Sequence, residues 1–153
     1  MKSYLVLVAF AALSAATALT AWAAAPAPVA AAKAASEHDA MSEACAKVCA
    51  DCLLVCEKTA RHCGDLTAAG KKEHAAAMRV TADCAECCKM CATLCARSNT
   101  LCPVACDCCA KCCDACAAEC AKFADVPEMA ACVESCKKCA ASCREMTKMA
   151  APK

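Results

Sequence analysis

"CPVACDCCAKCCDACAAEC", residues 102–120, sets the architecture of the whole chain. Six of its cysteines, Cys102, Cys106, Cys109, Cys113, Cys116 and Cys120, follow one another in alternating steps of four and three. On an α-helix those steps keep every side chain on one stripe, the seam that a helix presents to the partners of a bundle. Asp107, Lys111, Asp114 and Lys122 fall on the opposite side, where water would meet them. Cys108 and Cys112 sit beside the stripe. Pro103 suits the first turn of such a helix, because its missing N–H has no partner there in any case.

The same C-x3-C-x2-C-x3-C spacing recurs along the chain. It occurs at Cys45, Cys49, Cys52 and Cys56, at Cys84, Cys88, Cys91 and Cys95, and at Cys132, Cys136, Cys139 and Cys143, with Cys87 flanking the second set. Four helices are therefore expected. The first starts at "SEHD" with Ser36 as N-cap and Asp39 three residues on, and runs to about Cys63, where Gly64 acts as a stop. The second starts between Thr67 and Lys71 and runs to about Ser98, where "SNT" breaks it. The third runs to about Phe123, and the fourth starts at Asp125-Val126-Pro127 and ends near Met149. Short connections make neighbours antiparallel, so the chain reads as all-α, an up-down-up-down four-helix bundle with a cysteine-lined lumen.

Composition supports this reading. Of 153 residues, 22 are Cys and only 2 are Gly, which is unlike a disulfide-stapled miniprotein with its turn-rich loops. Beyond residue 35 the large apolar side chains are few, and Phe123 is the one aromatic. The core must then be largely cysteine, which packs as a small hydrophobe when protonated. A formal net charge of +1 with interleaved signs shows no basic block for nucleic acid or a membrane surface. The N-terminus stands apart: Lys2, an apolar run over residues 4–19 and "AWA" at 21–23 read as a secretory signal peptide, cut after Ala23 with Ala24 or Ala25 as alternatives. It has no arginine pair, so export by the general route to the periplasm is expected, with no membrane association after cleavage. Residues 24–35 read as an Ala/Pro linker, and 36–150 as the bundle.

So many thiols on helical stripes suit metal better than disulfides. Neighbours at i and i+4 have Cβ atoms about 5–6 Å apart, whereas a disulfide wants about 3.8 Å. Two metal–sulfur bonds of about 2.3 Å each span the wider gap. Bonds between helices remain open on this argument. Soft thiolates select copper(I), zinc or iron–sulfur clusters. Zinc prefers closed sets of four ligands, and the stripes show no division into quartets. Iron–sulfur clusters draw on tight loop runs of cysteine. Copper(I) accepts two or three sulfurs, and one monovalent ion per thiolate neutralises a buried pool that could not otherwise carry charge. Multiple copper(I) ions are the expected cargo, with metallothionein-like sequestration of zinc or mixed soft metals as the alternative. The CxxC within Cys49–Cys52 lacks the βαβ context of a thiol oxidoreductase, and no thiol is set apart as a nucleophile, so no enzyme is expected.

Extending the stripes beyond the cysteines adds softer donors. Stepping back from Cys45 gives Met41 and His38; stepping on from Cys143 gives Met146, with Met149 a turn later. Antiparallel order gathers them at one end, near Cys95 and Cys102, as an entry port. Cys63, Met129 and His74 lie at the other end with Phe123 as a plug, while His62, Met78 and Met90 fall off the stripes.

The inward CxxxC pairs on every helix, behind a signal sequence, resemble the bacterial copper storage proteins over about residues 36–150. The resemblance implies a lumen filled with copper(I) by the stripe cysteines, an entrance of Met and His such as His38 and Met41, and a homo-oligomer, a tetramer. It leaves open whether a copper chaperone or a copper enzyme is the partner. Two features depart from the pattern: the arginine pair is absent, and Cys87, Cys108 and Cys112 are additional. Because protonated cysteines can serve as the core, the reduced, metal-free protein is expected to give a helical circular dichroism spectrum. A spectrum dominated by coil would overturn that expectation.

Overall fold

A computed structural model describes residues 29–150, so the expected signal peptide, its cleavage site and residues 24–28 lie outside the described residues. Four α-helices make up the fold: α1 (Val29–Ala68), α2 (Ala75–Ala96), α3 (Cys102–Cys120) and α4 (Pro127–Ala150), with short 3-10 turns at Lys72–His74 and Ala121–Phe123. Each helix packs on its two neighbours in the order α1, α2, α3, α4 and back to α1, which closes a four-sided antiparallel bundle around one lumen. Among the described residues, no helix is long and apolar enough to cross a membrane.

The outer faces carry a lattice of ion pairs one turn apart, including Lys47–Glu43, Lys111–Asp107 and Lys137–Glu134. They keep the outside wet, and being exposed they are screened by solvent. Arg144 on α4 reaches across to Asp114 on α3.

The boundaries of α1 differ from those expected. Ser36 is not an N-cap: it lies within the helix, and the Lys33–Glu37 pair at 3.8 Å spans the expected start. Residues 29–35, read as linker, are alanine-rich, and alanine has the highest helix propensity of all residues. Gly64 does not stop the helix either. The stop is Gly70, at φ 92°, with the Lys71 N–H bonded to the Leu66 carbonyl and the Gly70 N–H to that of Thr67, a Schellman arrangement. The second helix accordingly starts at Ala75, later than expected.

The turn from α2 to α3 uses the same device with a serine. Ser98 takes φ 45°, the Asn99 N–H bonds to the Leu94 carbonyl, and the Ser98 N–H bonds to that of Cys95. The Asn99 side chain then accepts from the Leu101 N–H at 2.9 Å. Pro103 sits in the first turn of α3, and α4 opens at Pro127, both as expected.

Gly64 therefore occupies an ordinary helical position, where an added Cβ would meet only Met78 Sδ, at 3.5 Å. Gly64→Ala should stabilise the bundle by about 0.5–1 kcal/mol, through loss of unfolded-chain freedom. Urea denaturation of the reduced protein checks this; a loss of stability would mean that α2 lies closer to α1 than the structure places it.

Candidate metal centre

Every cysteine other than Cys87, Cys108 and Cys112 is buried, at no more than 1% exposure. The stripes converge into stacked layers whose four sulfurs all lie within 4.8 Å of one another. Cys45, Cys91, Cys106 and Cys143 form the first layer, one from each helix. Cys49, Cys109, Cys139 and Cys143 form the next, followed by Cys52, Cys88, Cys113 and Cys139, then Cys56, Cys84, Cys116 and Cys136. Quartets thus exist that the sequence did not reveal. They are not all separate sites: Cys143 belongs to the first and second and Cys139 to the second and third, whereas the Cys56 layer shares no sulfur with the other three.

Many of the lumen sulfurs are in contact. Within a helix, Cys45–Cys49 is 4.0 Å, Cys52–Cys56 3.9 Å and Cys102–Cys106 3.8 Å. Between helices, Cys91–Cys106 is 3.5 Å, Cys49–Cys139 3.6 Å and Cys116–Cys132 3.7 Å. A metal with bonds of about 2.3 Å to three sulfurs in a plane sets those sulfurs about 4.0 Å apart. The lumen comes close to that spacing before any ion arrives.

The match to known proteins agrees with this geometry. Residues 38–148 match the family model described as Csp, copper storage protein. The chain belongs to the copper storage protein family. Its fold is similar to that of a solved copper(I)-bound copper storage protein, BsCsp3, with a TM-score of 0.64 and 29% identity, over 70% of this chain and 98% of that one. It is also similar to a structure of a Nitrosospira multiformis protein, with a TM-score of 0.62 and 34% identity, over 72% of this chain and 97% of that one. Among curated proteins nothing matches.

In this copper storage fold, the end where α1 enters and α4 leaves lies beyond the Cys45 layer. Met146 is fully buried there, Met41 packs partly buried on the core, His38 is half-buried and Met149 is exposed. Ser42, which the stripe reading passed over, is fully buried at the same level with its hydroxyl unpartnered. It lies three residues before Cys45, on the same inward face. Cys95 and Cys102, both expected as metal ligands, are joined by a disulfide across the α2–α3 turn. They lie on different helices, so the i,i+4 spacing that keeps stripe neighbours apart does not protect them. A disulfide sulfur is not a thiolate, so this pair can ligate only after reduction.

At the far end Cys63 Sγ lies 3.9 Å from Met129 Sδ, both buried. His74 is buried against Phe123, ring centroids 4.3 Å apart, with its Nδ1 unpartnered. Phe123, expected to stand there alone, thus packs with His74 as a tilted pair. Met78 and His62 are half-buried and Met90 is exposed, away from the layers.

The thiols share their protons. Bonds from Cys106, Cys143 and Cys49 draw Cys45 well below the ordinary thiol value, and those from Cys113 and Cys136 do the same for Cys52. Their neighbours move the other way. Bonds to Cys109 and Cys139 hold Cys49 far above that value, Cys113 and Cys116 raise Cys136, and Cys106 and Cys109 raise Cys143. Burial raises every one of these thiols, and it is the leading cause at Cys63. The lumen without metal thus alternates lowered and raised thiols, so that a sulfur favoured as thiolate sits beside sulfurs that keep their protons.

A group whose folded pKa is raised lends stability that is complete below its unfolded pKa and is lost as pH rises above it. For Cys49, Cys136, Cys143 and Cys63 that unfolded reference is 9.0. The melting temperature of the reduced, metal-free protein should therefore fall steadily above about pH 9. The lowered thiols, Cys45 and Cys52 among them, act only below that pH, where they make stability rise with pH, so a melting temperature that stays level above about pH 9 would mean that the raised thiols do not govern stability.

Proposed function

We propose that this protein stores copper(I), as clusters of many ions bound by the lumen cysteines, for supply to copper enzymes or for detoxification. The observation that carries this reading is the column of buried quartets with shared members. Four independent tetrahedral zinc sites would each need four sulfurs of their own, and the sharing of Cys139 and Cys143 leaves room for three of these quartets at a time, so a column filled along its length needs an ion that accepts shared sulfurs. Charge points the same way. Four thiolates around one divalent ion leave a net charge of minus two in a dry interior, whereas one copper(I) per thiolate leaves none. Membership of the copper storage protein family and likeness to a copper(I)-bound relative support the choice of metal.

The ligands in this proposal are the stripe cysteines, with Cys95 and Cys102 joining once reduced. His38, Met41, Met146 and Met149 are the entrance: thioether and imidazole hold copper(I) less firmly than thiolate and pass it inward. Each ion that binds displaces thiol protons. Nothing singles out one thiol with a base beside it, and the family is a storage family, not an enzyme family. Export to the periplasm, tetramer assembly and delivery to a copper chaperone or enzyme belong to the same proposal, on the strength of the sequence features and the family resemblance.

Anaerobic titration of the fully reduced protein with copper(I), against a chromophoric chelator, tests it. Uptake should approach one ion per lumen cysteine with helicity retained. Saturation after only a few ions would end the storage reading in favour of discrete sites.

A further inference from the structure

The three cysteines outside the lumen are not scattered. Cys87, Cys108 and Cys112 each immediately precede a lumen cysteine, Cys88, Cys109 and Cys113. One residue is a rotation of about 100° on a helix, which turns all three out of the lumen on the same side of the bundle. There α2 and α3 run side by side, and the three sulfurs come within 4.8 Å of one another. Cys87 and Cys112 Sγ are 2.9 Å apart across the helix pair. Cys87 and Cys112 are half-buried and Cys108 is exposed.

Core packing does not account for this group, since the lumen is already filled by the buried cysteines. Exposed thiols are also a chemical liability that surfaces ordinarily avoid. As a ligand set, however, the group is well formed. Three sulfurs about a metal with bonds of about 2.3 Å sit about 4.0 Å apart. The observed separations, 2.9 Å for the closest pair and within 4.8 Å for all, bracket that figure. The set is sulfur only, with no carboxylate or imidazole in it to complete a tetrahedron, which favours a soft ion content with three ligands. Cys108 also lines a shallow apolar groove of about 280 Å³, with Met90, Leu94, Leu101 and Val104, and its own exposure opens the site to water.

We infer that Cys87, Cys108 and Cys112 form a second, external copper(I) site of three sulfurs, separate from the lumen and in rapid exchange with solvent. The inference rests on the storage reading only for the identity of the ion. Lumen sulfurs are reached through the end of the bundle; these are reached directly. Binding converts three thiols into thiolates around one ion, releases their protons, and changes no oxidation state.

The experiment compares the full-length reduced protein with the triple variant C87S/C108S/C112S and with Cys108→Ser alone, all loaded anaerobically with copper(I). Removal by bathocuproine disulfonate is followed by stopped flow, with circular dichroism confirming the fold of each variant. The unaltered protein should release about one ion per chain in a fast phase, ahead of the remainder. The triple variant should lack that phase and bind about one ion fewer, and Cys108→Ser should weaken that ion by about tenfold or more. An unchanged fast phase and unchanged capacity in a folded triple variant would overturn the inference. So would a Cys87–Cys112 disulfide, found by mass spectrometry in the reduced preparation, or a fast ion that is zinc and resists replacement by copper(I). If the unaltered protein takes up only a few ions, the storage reading fails, yet the loss of one ion in the triple variant would still establish the external site.

Discussion

Sulfur-to-sulfur distance governs the bundle. A cysteine side chain is short, so helices that meet through cysteine bring their sulfurs together, with many pairs 3.5–4.0 Å apart both along a helix and between helices. At that distance protonated thiols are in van der Waals contact and make a weakly polar, uncharged core. The same distance lies close to the spacing of sulfurs that share a metal ion. One packing geometry thus serves the empty and the loaded state, and the helices need not move apart to admit the cargo. Larger apolar residues could have built a firmer core, but they would have widened the bundle and left no continuous path of donors through it.

Much of this was legible before any coordinates. Steps of four and three put Cys45, Cys49, Cys52 and Cys56, and their counterparts, on one face, and the number of such runs dictated the number of helices. Pro103 and Pro127 marked helix starts because proline tolerates few other helical positions. Ser36 and Gly64 misled, since a capping residue or a glycine acts only where the backbone around it is ready to depart from the helix. Alanine on one side of Ser36 kept the backbone helical there, and α1 runs on through Gly64 to Ala68. The four-membered layers were invisible for a different reason. A stripe on one helix does not disclose its axial register with three others, and register alone decides which sulfurs share a level. The Cys95–Cys102 bond likewise depends on how tightly the Ser98 turn folds back.

Inside and outside also differ in electrostatic design. Outside, lysines and acids alternate one turn apart and nearly cancel, so the surface has little net field. Inside, the exchange of protons among neighbouring thiols lets a few sulfurs carry partial negative character while others stay protonated. A cation arriving at the Cys45 layer meets such a sulfur without any fixed charge having been buried to attract it. Selectivity then comes from softness and displacement of protons in place of long-range attraction, consistent with a chain whose formal net charge is only +1.

The membership of Cys143 and Cys139 in two layers each couples the first three layers of the lumen as a short one-dimensional lattice. An ion at one of these levels would fix a sulfur that the next level needs, so occupancy would spread along them from a seed. A column filled in that way would have a leading edge and would lengthen or shorten there. A defect at either shared sulfur divides the column into two shorter segments, each with an edge of its own.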